Sequence, residues 1–299
     1  MNKKFSTAIL LLIFNRPDVT KKVFEAIRKI KPEKLYIAAD GPRVGKLYEK
    51  ENCNKARKIT EKIDWKCKVK RLYRNRNLGC KDAVGGAITW FFENVNEGII
   101  LEDDCLPSLS FFGYCESMLE RYRDDRRIMV ISGTNVVGKW KHNLQDYHFS
   151  NYGGICGWAT WKRAWKYYDP SMKLWKTKAA RESIKNILVN KYQYRVRLRQ
   201  FEETYENKVN SWAYRWSFSK LLQSGLSVVP SRNLVTNIGF GPNATHTKSA
   251  AFSRSNQKRY EINLPTRINK IVVADREYDK KYFYITNNAT WMGKLINLI

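Results

Sequence analysis

The chain has 299 residues, 43% of them hydrophobic and 13% aromatic, so it can bury a sizeable core and is not a disordered polypeptide. Its net charge of +27 asks either for an anionic partner (nucleic acid, a phosphate-rich small molecule or an anionic membrane face) or for no more than a lysine-rich solvated surface. Cys53, Cys67, Cys80, Cys105, Cys115 and Cys156 form no CxxC pair and no zinc-like spacing with the histidines, which predicts ordinary buried thiols in a reducing, cytoplasmic setting.

Met1 to Phe14 looks superficially like a signal peptide. Its apolar run is short, no small-residue cleavage site follows, and Asn15-Arg16-Pro17 ends it, so Ala8 to Phe14 reads as a buried first strand. No stretch is long enough to span a bilayer. Pro17 suits a helix start, and Val19, Val23, Ala26, Ile27 and Ile30 recur at helical spacing until Pro32. Leu35 to Ala39 is a second buried strand that ends in Asp40-Gly41-Pro42. A polar, helix-compatible segment runs from about Lys46 to Ile63, Cys67 to Tyr73 alternates as a strand, and Arg74 to Gly79 is a turn-rich loop. Lys81 to Asn96 carries Val84, Ala87, Ile88, Phe91 and Val95 on one helical face.

A short apolar run, Ile99-Ile100-Leu101, then enters Glu102-Asp103-Asp104, and Cys105 to Ser108 turns into the helix marked by Phe112, Cys115, Leu119 and Tyr122. Ile128 to Ile131 is the next strand. This alternation predicts a Rossmann-like α/β fold: a mostly parallel sheet flanked by helices. Asn15 and Arg16, Asp40, Asn75 and Asn77, and Glu102 to Asp104 all fall at strand ends, where open α/β sheets bind ligands, although each residue alone could be a turn or capping group. Carboxylates this close need a cation or donors. Neither a GxGxxG after the first strand nor a GxxxxGK[ST] occurs, so phosphates must be held another way. A carboxylate-bound Mg²⁺ or Mn²⁺ with basic side chains is the simplest.

The second half carries Gly153-Gly154-Ile155-Cys156-Gly157-Trp158, too glycine-rich for an element interior and suited to close backbone approach to a ligand. Seven tryptophans lie between Trp140 and Trp216. Most should pack the core, and Trp158 is the best candidate to stack on a sugar. Lys162 to Arg232 is rich in Lys and Arg, with Arg195, Arg197 and Arg199 on alternate positions. That pattern admits nucleic acid, an acidic glycan, a lipid-linked phosphate or a solvated face.

Phe14-Asn15-Arg16-Pro17, Ala39-Asp40-Gly41, Asn77-Leu78-Gly79, Ile100-Leu101-Glu102-Asp103-Asp104, Gly157-Trp158-Ala159-Thr160-Trp161, Asn237 to Gly241 and Thr245-His246-Thr247 form an ordered series from about Ala8 to Thr247. It resembles the nucleotide-diphospho-sugar glycosyltransferases of the GT-A fold, in particular a bacterial group akin to the Golgi N-acetylglucosaminyltransferase that initiates complex N-glycans. The resemblance implies a GT-A-like domain over 1–247, with a nucleotide-sugar-binding half (1–135) and an acceptor-binding half (136–247), followed by a basic extension with an apolar tail (248–299). It implies a metal-dependent, inverting transfer from a nucleotide-diphosphate donor, UDP foremost, to a saccharide or lipid-linked acceptor, on a protein that is cytoplasmic or peripheral on an anionic membrane.

Position by position, Asp104 would hold Mn²⁺ or Mg²⁺ and His246 would complete the metal shell or close over the diphosphate. Asn15, Arg16, Asp40, Asn77, Lys81, Glu102 and Asp103 would bind the nucleotide sugar, and Gly157, Trp158 and Tyr214 the acceptor. One departure stands out. In Ser211-Trp212-Ala213-Tyr214-Arg215-Trp216 the family pattern expects an aspartate, the general base, at Ala213. The chain is then an inactivated form of an active enzyme, the reading the intact flanks favour, or its base lies elsewhere, Glu202 and Glu203 being nearest. Two alternatives compete: a basic nucleic-acid-binding protein, and a sugar nucleotidyltransferase, which should carry a glycine-rich triphosphate loop where Asn15-Arg16-Pro17 stands.

Overall fold

The computed structural model describes residues 4–239 and 257–287. His246 and the apolar tail from Trp291 lie outside the described residues. The first half runs β1 (Ile9–Ile13), α1 (Pro17–Ile30), β2 (Lys34–Ala39), α2 (Leu47–Ile59), β3 (Lys68–Tyr73), α3 (Gly79–Asn94), β4 (Glu97–Glu102), β5 (Cys105–Pro107), α4 (Leu109–Arg121) and β6 (Ile128–Ser132). The second runs β7 (Tyr147–Ser150), β8 (Trp158–Trp161), α5 (Lys162–Trp165), a 3-10 turn (Lys173–Lys176), α6 (Lys178–Ile187), α7 (Lys191–Tyr205), α8 (Trp212–Leu222), β9 (Leu226–Pro230), β10 (Val235–Asn237) and α9 (Arg276–Thr286).

Eight strands form one sheet in the order β3-β2-β1-β4-β8-β6-β9-β7. Neighbours β3, β2, β1 and β4 pair in parallel, β8 is antiparallel to both β4 and β6, and β6 is parallel to β9. Six strands therefore share one direction and only β8 and β7 are reversed. This is the Rossmann-like α/β fold expected from the alternation. β1 is buried at every residue because helices cover both faces. Ile9, Leu11 and Ile13 pack with α1 and α4, while Ala8, Leu10 and Leu12 pack with α3 and the tryptophans of α5 and α8. Burying a Leu or Ile side chain contributes roughly 1.5–3 kcal/mol, so this strand anchors everything at its carboxyl end.

The expected elements of the first half form within a few residues. The segment expected as a helix to Ile63 stops at Ile59. Here Thr60 turns the chain with its hydroxyl donating to Arg57 O at 2.7 Å, and Ile63 and Trp65 pack against the core from the turn. Unforeseen is the small antiparallel ribbon β5–β10, which pairs Cys105 with Asn237 directly beside the acidic triplet. Residues 257–287, expected as part of a C-terminal extension, pack onto the domain. Phe283 is fully buried among Trp175, Phe201 and Phe218, and the Asp279 carboxylate accepts from Asn151 Nδ2 at 2.9 Å and from the Ser150 hydroxyl. Glu261 accepts from Ser110 N at 2.7 Å at the start of α4.

Candidate active site

The carboxyl ends of β1, β2 and β4 open into a single cavity of about 550 Å³. Parallel pairing puts them side by side, with Ile13 opposite Ala39 and Leu12 opposite Glu102. Phe14, Arg16, Asp40, Arg74, Asn77, Glu102, Asp103 and Asp104 line one end. Ala83, Val84 and Ala87 of α3, with Leu12 and Ala38, line an apolar side.

Asp40 is almost fully buried. Its carboxylate accepts from Gly41 N at 2.9 Å, from Leu78 N at 3.1 Å and from Asn77 Nδ2 at 2.9 Å, and Asn77 also donates to Gly41 O at 3.0 Å. The loop after β3 is thereby tied to the end of β2. Arg57 reinforces the join by donating to Arg74 O at 2.6 Å. Burial raises the Asp40 pKa, against the lowering by those backbone donors and Arg74. Since its oxygens are engaged, Asp40 acts here by shaping the cavity wall.

At the end of β4, Asp103 is buried. It accepts from Phe14 N at 3.2 Å and from Arg16 Nη2, which also lies 3.0 Å from Asp104 Oδ2. The Asp104 carbonyl accepts from Ile238 N at 2.8 Å, and its Oδ1 accepts from the Cys105 thiol at 3.4 Å. Burial opposes the Arg16 charge, but Asp103 and Asp104 outweigh it and the guanidinium stays protonated. Burial pushes Glu102 up to about 8, helped by repulsion from Asp104 and Asp103. Burial likewise takes Asp103 to about 6, with Arg16 pulling it down and Asp104 pushing it up. Glu102, so raised, keeps its proton near neutral pH, and Asp103 and Asp104 share the one guanidinium of Arg16, a balance that a further cation would complete.

The cavity brings together Arg16, Asp40, Asn77, Glu102, Asp103 and Asp104, six of the residues singled out in the sequence. The others fall elsewhere. Asn15 is half-buried and does not line the cavity, and the Lys81 ammonium turns to Asn207 Oδ1 at 3.4 Å. Trp158 cannot stack on a sugar: it is fully buried between α5 and α8, with its ring 5.8 Å from Trp212 at 20° and 6.2 Å from Trp216. Six of the seven tryptophans in this region are buried, and the exception, Trp140, donates to Asp275 Oδ2 at 2.9 Å.

The glycines of 153–157 admit close approach of protein, not of ligand. A Cβ at Gly153 would meet Ser227 Oγ at 2.5 Å, and one at Gly157, with φ +69°, would meet Val235 at 2.8 Å. Between them, Ile155 and Cys156 do reach the cavity. Ala213 and Tyr214 stand half-buried in the first turn of α8, off the cavity wall, with Asn210 of the preceding loop on it. Glu202 is held structurally by Trp175 Nε1 at 2.8 Å. Arg195 and Arg199, four residues apart on α7, share its exposed face, whereas Arg197 is buried over Tyr152 at 5.2 Å.

Phe14, Arg43, Arg74, Cys80, Asn210 and Asn237 were not foreseen. Phe14 and Arg74 come immediately after the first and third strands and Arg43 four residues after the second, while Phe14 and Asn237 also stand in the ordered motif series, though not singled out there as site residues. Among the described residues no cluster of three or more His, Cys, Asp or Glu is placed to hold a metal, and no helix is long and apolar enough to cross a membrane.

No protein-family model and no curated protein matches the chain. Among solved structures it is similar to HddC from Yersinia pseudotuberculosis, with a TM-score of 0.31 and 11% identity over 52% of this chain and 77% of that one. It is also similar to a UDP-glucose pyrophosphorylase complexed with UDP-glucose, with a TM-score of 0.25 and 12% identity over 48% and 62%. These are distant likenesses and name no family for the chain.

Proposed function

We propose that this chain is a nucleotide-sugar-dependent glycosyltransferase, with a UDP-sugar as donor and a saccharide or lipid-linked acceptor. The observation that carries the reading is the meeting, in one cavity, of Asp103 and Asp104 at the end of β4 with Arg16 after β1 and the Asp40–Asn77 join after β2. Phe14 offers a ring face at the cavity with the Arg43 guanidinium 5.8 Å from its centre, which suits a planar base. Arg16 and Arg74 suit phosphate oxygens.

The donor set fits a hard divalent cation. Asp104 supplies carboxylate oxygens, and a guanidinium already stands on one of them as a substitute cation. Mg²⁺ and Mn²⁺ are commonly held by one or two carboxylates plus substrate phosphates. Bound there, such an ion supplies Lewis acidity and neutralises charge on the departing diphosphate. The chain's own groups do the remaining work: the loop held by Asp40 shapes the nucleoside end, Asp103 fixes Arg16, and Asn210 and Cys80 line the wall next to α8.

An attacking hydroxyl needs a base within hydrogen-bond reach. Ala213 offers none, so slow turnover beside good donor binding belongs to the reading. The +27 charge suits an anionic membrane carrying a lipid-linked acceptor.

Calorimetric titration with UDP, with and without Mn²⁺, tests the proposal. Saturable binding that Mn²⁺ strengthens supports it, and no heat with any nucleoside diphosphate rejects it. Release of pyrophosphate from UTP and a sugar 1-phosphate would identify a nucleotidyltransferase instead.

A further inference from the structure

The charge cluster at the end of β4 already has its own cation, on the carboxylate that the proposed function gives to a metal. Arg16 Nη2 bridges Asp103 Oδ1 and Asp104 Oδ2, the second contact at 3.0 Å. The other oxygen of Asp104 accepts the Cys105 thiol. The backbone following β10 roofs this arrangement: a Cβ at Gly239 would lie 2.2 Å from Asp104 Oδ2 and 2.6 Å from Arg16 Nη1. A divalent cation on Asp104 would therefore sit against a guanidinium at a partly buried site, where like charges repel more than in bulk water.

The main chain of Arg16 is fixed. Its carbonyl accepts from Thr20 N at 3.0 Å and from the Thr20 hydroxyl at 2.8 Å, and Pro17 sets the backbone beyond it. A change of partner must therefore come from the side chain. Of its donors, the structure commits Nη2 alone to the carboxylates, and a phosphate would offer the guanidinium a bidentate partner.

We propose that Arg16 is an internal cation that occupies Asp104 until a nucleoside diphosphate draws it off, so that metal binding depends on nucleotide. The inference rests on the reading of Asp104 as the metal-binding residue, and it adds an order: diphosphate first or together with the ion, and the ion alone only weakly. Arg16 is then a positioning residue with two alternative partners, the carboxylates of β4 and the diphosphate.

The test is Mn²⁺ binding followed by electron paramagnetic resonance on the full chain, without nucleotide and with saturating UDP. Wild type should bind Mn²⁺ weakly alone and clearly with UDP. Arg16→Gln should bind Mn²⁺ alone about tenfold tighter or more, since a like charge has gone, and should lose the dependence on UDP. Mn²⁺ alone should also raise the melting temperature of Arg16→Gln and leave that of wild type unmoved. Arg16→Lys keeps a positive charge and should resemble wild type, which guards against a fold lost in the glutamine variant. Equal or weaker Mn²⁺ binding by a folded Arg16→Gln, with wild type still nucleotide-dependent, overturns the switch and leaves the metal reading standing. If UDP binds but neither wild type nor Arg16→Gln takes up Mn²⁺, with or without UDP, the metal reading falls and the switch with it.

Discussion

The mouth of the cavity and the tryptophan cluster beneath it are built from residues that look equally functional in the sequence, and they have opposite fates. At the mouth, parallel strands end together and their next residues have no further strand to join, so Phe14, Asp40 and Glu102 to Asp104 meet around open space. Beneath it, Trp158, Trp165, Trp212 and Trp216 close on one another between α3, α5 and α8 and leave no ring face for a ligand. Residue type is therefore a weaker guide than the place of a residue on its strand. A tryptophan inside a sheet strand is core, whereas an acid at or just past a strand end reaches the cavity.

The contrast can be broken most strongly at the helix start next to the cavity. Ala213→Asp places a carboxylate in the first turn of α8 beside Asn210, where a helix N-terminus favours it. Positioned bases contribute about 10²–10⁴-fold, and a gain of that order is expected in sugar transfer from UDP-sugars to acceptor oligosaccharides. An unchanged rate would remove position 213 from the mechanism.

Next comes the cluster itself. Trp158→Ala should cost about 3–5 kcal/mol, read by denaturant unfolding, while UDP affinity of the folded fraction stays the same. A stable Trp158→Phe with selective loss of acceptor binding would contradict the assignment of this ring to the core.

A smaller effect is expected at the mouth. Asp40→Asn brings an amide toward the Gly41 and Leu78 N–H groups that now donate to a carboxylate. Each lost bond of a charged acceptor is worth about 1.5–3 kcal/mol, so UDP should bind at least tenfold more weakly, measured by calorimetry.

The smallest concerns pH. Glu102 titrates near 8 in the fold against an ordinary 4.5. Across that interval the folded state keeps a proton that the unfolded state has released, so stability falls as pH rises from about 4.5 to about 8. Glu102→Gln should melt a few degrees higher than wild type at pH 8, with the gap closing toward pH 5. A gap that widens toward pH 5 would mean that Glu102 is stabilised as the carboxylate.

Much of the first half was legible in the sequence. Val19, Val23 and Ile27 mark α1 because a buried helix face must repeat near 3.6 residues, and apolar runs between punctuating Pro and Gly mark β1, β2 and β4. The second half was less legible, because β7, β8 and β9 pair with strands far away in sequence or out of chain order, and β7 and β8 reverse direction without a local signal. Asn15 and Lys81 stand beside true cavity residues in sequence, yet one peptide or one turn is enough to direct a side chain elsewhere.

By itself, the sequence determined the α/β alternation, the buried strands and the placing of acids at the end of β4, since each is a local consequence of hydrophobic period and chain punctuation. Only the tertiary structure decided that Arg16 sits on Asp104, that Asp40 is engaged with the 77–78 loop, and that Trp158 is core. Those outcomes depend on which carboxyl ends the sheet order makes neighbours, and on how α3 and α8 close over β8. Both are set by long-range packing, which no window of sequence contains.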